Sequence, residues 1–174
     1  MKSKKLKPEL TMIIDTREQH PYEFCRPHRR DVALAGTSRE ALEAGDYSVK
    51  VNGDLLPVRI ERKSMSDYFG ICSNRFGQRE RFERELERLQ WMTSYLVIEA
   101  TAEQVRHGFE RSQVSGEAAL GSALHWSVVF GVMPIFAGTW RTGNRITQGL
   151  LEDFALHFSQ ELFAVNPVEG EQSQ

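Results

Sequence analysis

The chain reads as an α/β domain, and three observations carry that reading. Tyr47-Ser48-Val49-Lys50-Val51 and Leu55-Leu56-Pro57-Val58-Arg59-Ile60 alternate with the period of strands, and Asn52-Gly53 between them signals a tight hairpin. The apolar runs Met12-Ile13-Ile14 and Tyr95-Leu96-Val97-Ile98 supply further strands. Phe82, Leu86 and Leu89 recur at the i, i+4, i+7 spacing of an amphipathic helix over Gln78 to Trp91.

In chain order, residues 1 to 9 form a basic flexible arm containing Lys2, Lys4, Lys5 and Lys7, and Leu10 to Asp15 is a strand. Glu18 to Thr37 is mostly loop, broken by Pro21 and Pro27, with a short strand or helix near Val32 to Leu34. Ser38 to Ala44 is one helical turn or an extended approach to the hairpin. Ser64 or Ser66 caps a helix beginning near Asp67, because Ser64-x-x-Asp67 fits a capping box in its acidic form. On the Gln78–Trp91 helix, Arg81–Glu85 and Glu80–Arg84 are opposite-charge pairs, and most of its charges form a solvated face. After the strand Tyr95 to Glu99 come a helix from Ala102 to about His107, a polar loop Gly108 to Gly116 and a buried helix from about Glu117 to Phe130. A short strand, Pro134 to Ala137, precedes a final helix, Thr147 to Phe163, amphipathic through Leu150, Leu151, Phe154 and Phe158. Residues 164 to 174 read as a disordered tail.

The hairpin brings chemistry together. With a two-residue turn, Val51 faces Asp54, Val49 faces Leu56, Tyr47 faces Val58 and Asp46 faces Arg59. Opposed residues point to the same side of a sheet, as does every second residue along a strand. Asp46, Arg59, Glu61 and Lys63 then share one face, and Tyr47, Val49, Leu56, Val58 and Ile60 share the other. Pro57 cannot donate to the ladder and marks an edge or a bulge, and a one-residue bulge would turn Asp46 away from Glu61. With Asp67 close behind, three acids and a lysine converge, the set that cuts a phosphodiester with a divalent metal.

The order of these blocks resembles the XPF-type structure-specific endonucleases. Their signature is Gly-Asp, a variable hairpin, then Glu-Arg-Lys, three residues and Asp, with a nearby strand ending in Asp-x-Arg-Glu. Asp15-Thr16-Arg17-Glu18, Gly45-Asp46-Tyr47, Glu61-Arg62-Lys63-Ser64 and Asp67 stand in that order, and Ser73 and Arg75 stand where the family has a serine and an arginine. The resemblance spans about residues 10 to 163, which would be the nuclease domain. It implies a restriction-endonuclease-like fold, a mixed β-sheet flanked by α-helices. It also implies Mg²⁺-dependent cutting of DNA, with Mn²⁺ able to substitute. Asp46 and Glu61 carry over as metal ligands and catalytic acids, with Asp15 as a further acidic ligand and Asp67 as a supporting catalytic acid. Lys63 carries over as the catalytic lysine, and Arg17, Arg62, Ser73 and Arg75 as DNA-binding residues. Two departures stand out: the chain stops before a tandem helix-hairpin-helix region, and Phe76 follows Arg75 where leucine is common.

Composition bounds the alternatives. A chain of 174 residues fits one domain with a real core, and 40% hydrophobic with 26% charged residues is ordinary for a globular protein. A net charge of −2 argues against non-specific coating of DNA but allows local basic clusters such as Arg26, His28, Arg29 and Arg30. Cys25 and Cys72 lack metal or redox spacing, no histidines pair at ligand spacing, and a zinc site is not expected. With no secretory signal, a reduced intracellular setting is expected: cytoplasmic, at the nucleoid in a prokaryote or phage, nuclear in a eukaryote. The uncharged stretch Ala118 to Trp140 is broken by polar residues and Pro134 and reads as a core helix and strand, not a membrane span. On family grounds Trp126, Phe130 or neighbouring apolar residues pair two copies into a homodimer. The expected substrate is branched DNA, a flap, fork or junction cut near a single-strand/double-strand boundary in repair, recombination or replication. A degenerate DNA-binding module paired with an active subunit is the rival, and a phosphatase lacks the phosphate-cradling glycine loop.

Overall fold

In the computed structural model the described residues are 7–165, with side chains described through Ser159. Most of the basic arm and the tail from residue 166 lie outside them. Seven strands form one mixed sheet in the order β2-β1-β3-β5-β6-β7, with β4 paired to β3. The strands are β1 (Glu9–Asp15), β2 (Ala33–Glu40), β3 (Tyr47–Val51), β4 (Asp54–Leu55), β5 (Val58–Ser64), β6 (Thr93–Glu99) and β7 (Met133–Phe136). β1 runs parallel to β2 and antiparallel to β3; β5, β6 and β7 are mutually parallel. The helices are α1 (Met65–Cys72), α2 (Gln78–Glu87), α3 (Ala102–His107), α4 (Gly116–Phe130) and α5 (Trp140–Val165). The expected mixed sheet flanked by helices is the observed fold.

Alternation along β6 shows how the sheet divides two cores. Leu96 and Ile98 join the cluster under α1 to α4, built around Trp126, Phe69 and Leu86. Tyr95 and Val97 point the other way, into the cluster under α5 with Tyr47, Val49, Val58 and Ile60. The apolar face of the hairpin is thus covered by α5. Its polar face looks toward α1 and α2.

The hairpin register differs from the one a plain two-residue turn dictates. Val51 faces Asp54 as expected, but Tyr47 faces Ile60 rather than Val58, so Asp46 does not stand opposite Arg59. Pro57, with no N–H, interrupts the ladder: the strand breaks between Leu55 and Val58, while the Leu56 N–H still donates to the Val49 carbonyl at 3.0 Å. The buried Arg59 guanidinium fills the opening, donating to the carbonyls of Leu56 (2.9 Å) and Val58 (2.8 Å) and to Ser48 Oγ (2.8 Å). The slip is two residues, and a two-residue slip leaves every side chain on its original face.

Other boundaries move for identifiable reasons. β2 runs from the short strand or helix expected near Val32 to Leu34 on to Glu40, in a segment expected as a helical turn or an extended approach, because its backbone pairs along the whole of β1. α2 ends at Glu87, four residues before Trp91, and Leu89 stays buried from the following turn while Trp91 is exposed. Its expected pairs are replaced by Arg79–Glu83 at 2.8 Å and Asn74–Glu80 at 2.8 Å. α5 starts at Trp140, seven residues before Thr147, where Thr139 Oγ1 accepts the Thr142 N–H at 3.1 Å. Gly143 permits this early turn: a Cβ there would lie 2.3 Å from the Tyr22 hydroxyl. The stretch expected not to span a membrane is α4 and β7, and no helix among the described residues is long and apolar enough to cross one.

Candidate active site

β3 begins after Gly45, whose left-handed φ of 81° and tight approach to Arg59 Cβ suit only glycine. This turn ties Asp46 into three strands. Its N–H donates to Ile60 O at 2.8 Å, its carbonyl accepts from Asp15 N at 2.8 Å, and its Oδ2 accepts from Arg62 N at 2.8 Å. Two positions apart on β5, Glu61 and Lys63 project from the same face, and Lys63 Nζ donates to Glu61 Oε1. The Lys63 ammonium also lies 5.4 Å from the Phe82 ring centroid of α2. Asp46, Glu61 and Lys63 open together on a cleft of about 1330 Å³, walled by α1, α2, the segment 17–20 and the loop 109–113.

Burial dominates the electrostatics here. Glu61 is 2% exposed, and burial pushes its carboxyl well above the usual range; Lys63 offsets part of this and the nearby Asp46 charge adds to it. Asp46 is also pushed up, chiefly by burial, with Lys63 opposing. Burial alone would depress the Lys63 ammonium, but Glu61 and Asp46 outweigh it and hold the side chain cationic. Two carboxylates that resist ionisation side by side form a site that gains from an added positive charge.

The other expected residues divide into two groups. Asp15 is only 1% exposed and does not line the cleft. Its Oδ1 accepts from Arg17 N (2.8 Å) and Nε (2.7 Å), and its Oδ2 from Leu42 N (2.7 Å) and Arg17 Nη2 (3.1 Å). Burial would raise its pKa, yet these bonds from Arg17 and Leu42 win and lower it. Asp15 is therefore a clamp that aims Arg17 at the cleft, and its oxygens are engaged away from Asp46 and Glu61. Arg62 likewise is a brace: it grips Glu99 at 2.7 and 3.2 Å, Glu18 at 3.3 Å and His20 O at 3.1 Å, with the Tyr22 ring 5.3 Å away. Ser73 is the C-cap of α1, and its hydroxyl donates to Gly70 O at 2.8 Å.

Arg62 and Ser73 line the cleft despite these internal bonds, and Asp67, Arg17 and Arg75 line it too. Asp67 is exposed in the first turn of α1, where Ser64 Oγ receives its N–H and donates to its Oδ2 at 2.7 Å. Ser64, not Ser66, is the cap. Arg75 is exposed in a 3₁₀ turn, Arg75–Gly77. Glu85, read as part of a solvated face, lines the cleft instead and adds to the negative field on Asp46 and Glu61. Its place is set by how α2 crosses the sheet, which helical periodicity does not encode. Glu99 and Glu18 lay within the recognised blocks, but only the packing reveals that both hold Arg62.

A divalent cation fits this donor set. Glu61 Oε2 is buried without a hydrogen-bond partner, an arrangement costly to a carboxylate unless a cation meets it. Asp46 and Glu61 are hard oxygen donors of the kind Mg²⁺ and Mn²⁺ prefer. Among the described residues no group of three or more His, Cys, Asp or Glu is assembled for a metal, so a cation held by these two carboxylates would take its remaining ligands from other oxygens.

A family model described as the ERCC4 domain matches residues 14–150. No curated protein matches the chain. Among solved structures, the fold is similar to XPF from Aeropyrum pernix, with a TM-score of 0.55 and 17% identity over 90% of this chain and 69% of that one. The same archaeal XPF in complex with DNA matches with a TM-score of 0.55 and 15% identity, over 95% of this chain and 69% of that one.

Proposed function

Because the chain belongs to the ERCC4-domain family, the group of the XPF-type nucleases, we propose that it is a divalent-metal-dependent endonuclease that hydrolyses phosphodiester bonds in branched DNA. One observation carries the reading. A buried carboxylate oxygen without a partner, on Glu61, sits beside a raised Asp46 and a fixed lysine at the bottom of an open cleft.

Asp46 and Glu61 would hold Mg²⁺ or Mn²⁺, which when bound supplies an acidified water and neutralises charge on the scissile phosphate. Lys63, whose cationic form Glu61 and Asp46 favour, would meet the negative charge that builds on the phosphorus oxygens. Arg17, held by Asp15 and by Leu42 O at 2.9 Å, presents its guanidinium at the cleft edge. Arg62 holds the strand carrying Glu61 and Lys63 against Glu18 and Glu99, so it acts by positioning. Arg75 is an exposed cation placed to meet a phosphate.

A homodimer belongs to the same reading, with its contact surface revised. Trp126 and Phe130 are buried in the core at 0% and 8% exposure. Their neighbours Leu124, Val128, Val129 and Met133 are exposed instead, Val128 at 87%. An apolar patch of this kind on α4 and β7 suits a second copy.

The deciding experiment incubates the protein with labelled fork, flap, duplex and single-stranded DNA in Mg²⁺ or in chelator. Metal-dependent cuts near the junction support the proposal. Binding without cutting in Mg²⁺ would make the chain a recognition module instead.

A further inference from the structure

Phe76 is a bulky apolar side chain that folding leaves outside. It is 84% exposed, belongs to neither core cluster, and lines the rim of the same cleft as Asp46, Glu61 and Lys63. Its backbone is left-handed, with φ 55° and ψ 34°, between Asn74 at φ 51° and Gly77 at φ 69°. A left-handed phenylalanine is strained, and no packing of its ring into the core offsets that strain. The phenylalanine that stands where leucine is common is therefore an aromatic ring held out at the rim of the site.

The surroundings specify what the ring would meet. The Arg75 guanidinium lies 5.3 Å from its centroid and covers one side, and Arg81 Nη2 donates to the Phe76 carbonyl at 3.4 Å. Both arginines are exposed on the cleft. An aromatic ring with one face open and guanidinium groups beside it is an arrangement that binds single-stranded nucleic acid, with bases on the ring and phosphates on the cations. A paired base cannot offer its face to this ring without leaving its stack, whereas an unpaired one can.

We propose that Phe76 stacks on an unpaired nucleobase next to the scissile phosphate, with Arg75 and Arg81 taking the flanking phosphates. The proposal rests on the reading of the cleft as a DNA-cutting site and assigns its selectivity for a single-strand/double-strand boundary to the turn between α1 and α2. Phe76 touches DNA but no reacting atom, so its effect falls on substrate choice.

The test uses the full chain and a fork carrying 2-aminopurine at the first unpaired positions, with chelator present so that binding is read apart from cleavage. Phe76→Asn keeps a residue that tolerates left-handed backbone and removes the ring; Phe76→Trp keeps a stacking surface. Wild type and Phe76→Trp are expected to quench the probe. Phe76→Asn loses the quench, and its fork-over-duplex affinity ratio falls about 5- to 150-fold, the alanine-substitution effect of one stacked base. An unchanged quench and ratio in Phe76→Asn would overturn the proposal. Cleavage by the wild type in Mg²⁺ is scored separately, so a stacking failure with cutting intact condemns only Phe76, and absence of cutting condemns the nuclease reading.

Discussion

Replacing Asp15 with asparagine separates a clamp from a metal ligand. The Asp15 carboxylate accepts two backbone N–H groups and two Arg17 guanidinium N–H groups. An amide keeps one acceptor oxygen and turns a donor toward the other set, leaving either Leu42 N or the Arg17 groups unmet. A buried N–H left unsatisfied costs about 1–3 kcal/mol. The lost charge on the Arg17 pair adds under about 1 kcal/mol, because the Arg17 side chain is 60% exposed and solvent screens it. The expected loss is about 1–4 kcal/mol, a Tm drop of roughly 2–16 °C for a domain of this size. The sign with pH follows from the lowered Asp15 pKa. Its stabilisation is full above the unfolded value of about 4 and fades as pH falls toward the lower folded value, so the gap between wild type and Asp15→Asn narrows below about pH 4. Thermal melts with and without 10 mM Mg²⁺ complete the assay. Asp15→Asn keeps the Mg²⁺-induced rise in Tm, and Asp46→Asn loses it. An Asp15→Asn protein as stable as wild type, or one blind to Mg²⁺ while folded, refutes the clamp.

Two further outcomes follow from packing. Val128→Glu places a charge on the exposed apolar patch of α4 and is expected to convert a dimer to a monomer in sedimentation velocity, with Tm changed by no more than about 2 °C; an unchanged sedimentation coefficient at the dimer value would move the interface elsewhere. Gly143→Ala drives a methyl into the Tyr22 hydroxyl, whose ring is stacked on Tyr47 at 5.1 Å and cannot retreat. Overpacking of about 1–3 kcal/mol then offsets the helix gain of about 1 kcal/mol, so the melt shows no stabilisation; a Tm several degrees above wild type would show that Tyr22 yields.

Local pattern carried much of the fold. Strand alternation around Asn52-Gly53 placed Asp46, Glu61 and Lys63 on one face, and that survives because the slip at Pro57 is even-numbered. The slip itself was not legible, since it depends on Arg59 threading into the ladder opening. The parallel pairing of β2 with β1 was hidden because Ala33–Glu40 alternates between exposed and half-buried residues and carries no apolar face. The onset of α5 was masked by Gly143, a residue chosen for contact with Tyr22. At the site, residue identity announced the chemistry but not the division of labour. Asp15 and Asp46 are both acids after apolar or glycine positions, and only their partners distinguish a clamp from a ligand. Phe76 read as apolar, and only the left-handed turn shows that it points outward.

Glu61→Gln tests the account most directly, through single-turnover cleavage of a labelled fork in Mg²⁺ by protein whose fold is checked by circular dichroism. The amide removes the negative charge that the unpartnered Oε2 would offer the proposed cation. The account predicts a loss of about 10²- to 10³-fold in rate, the scale of removing a main charge-stabilising contact, with the folded spectrum retained. Cutting at the wild-type rate by folded Glu61→Gln, or by wild type in chelator, would contradict it.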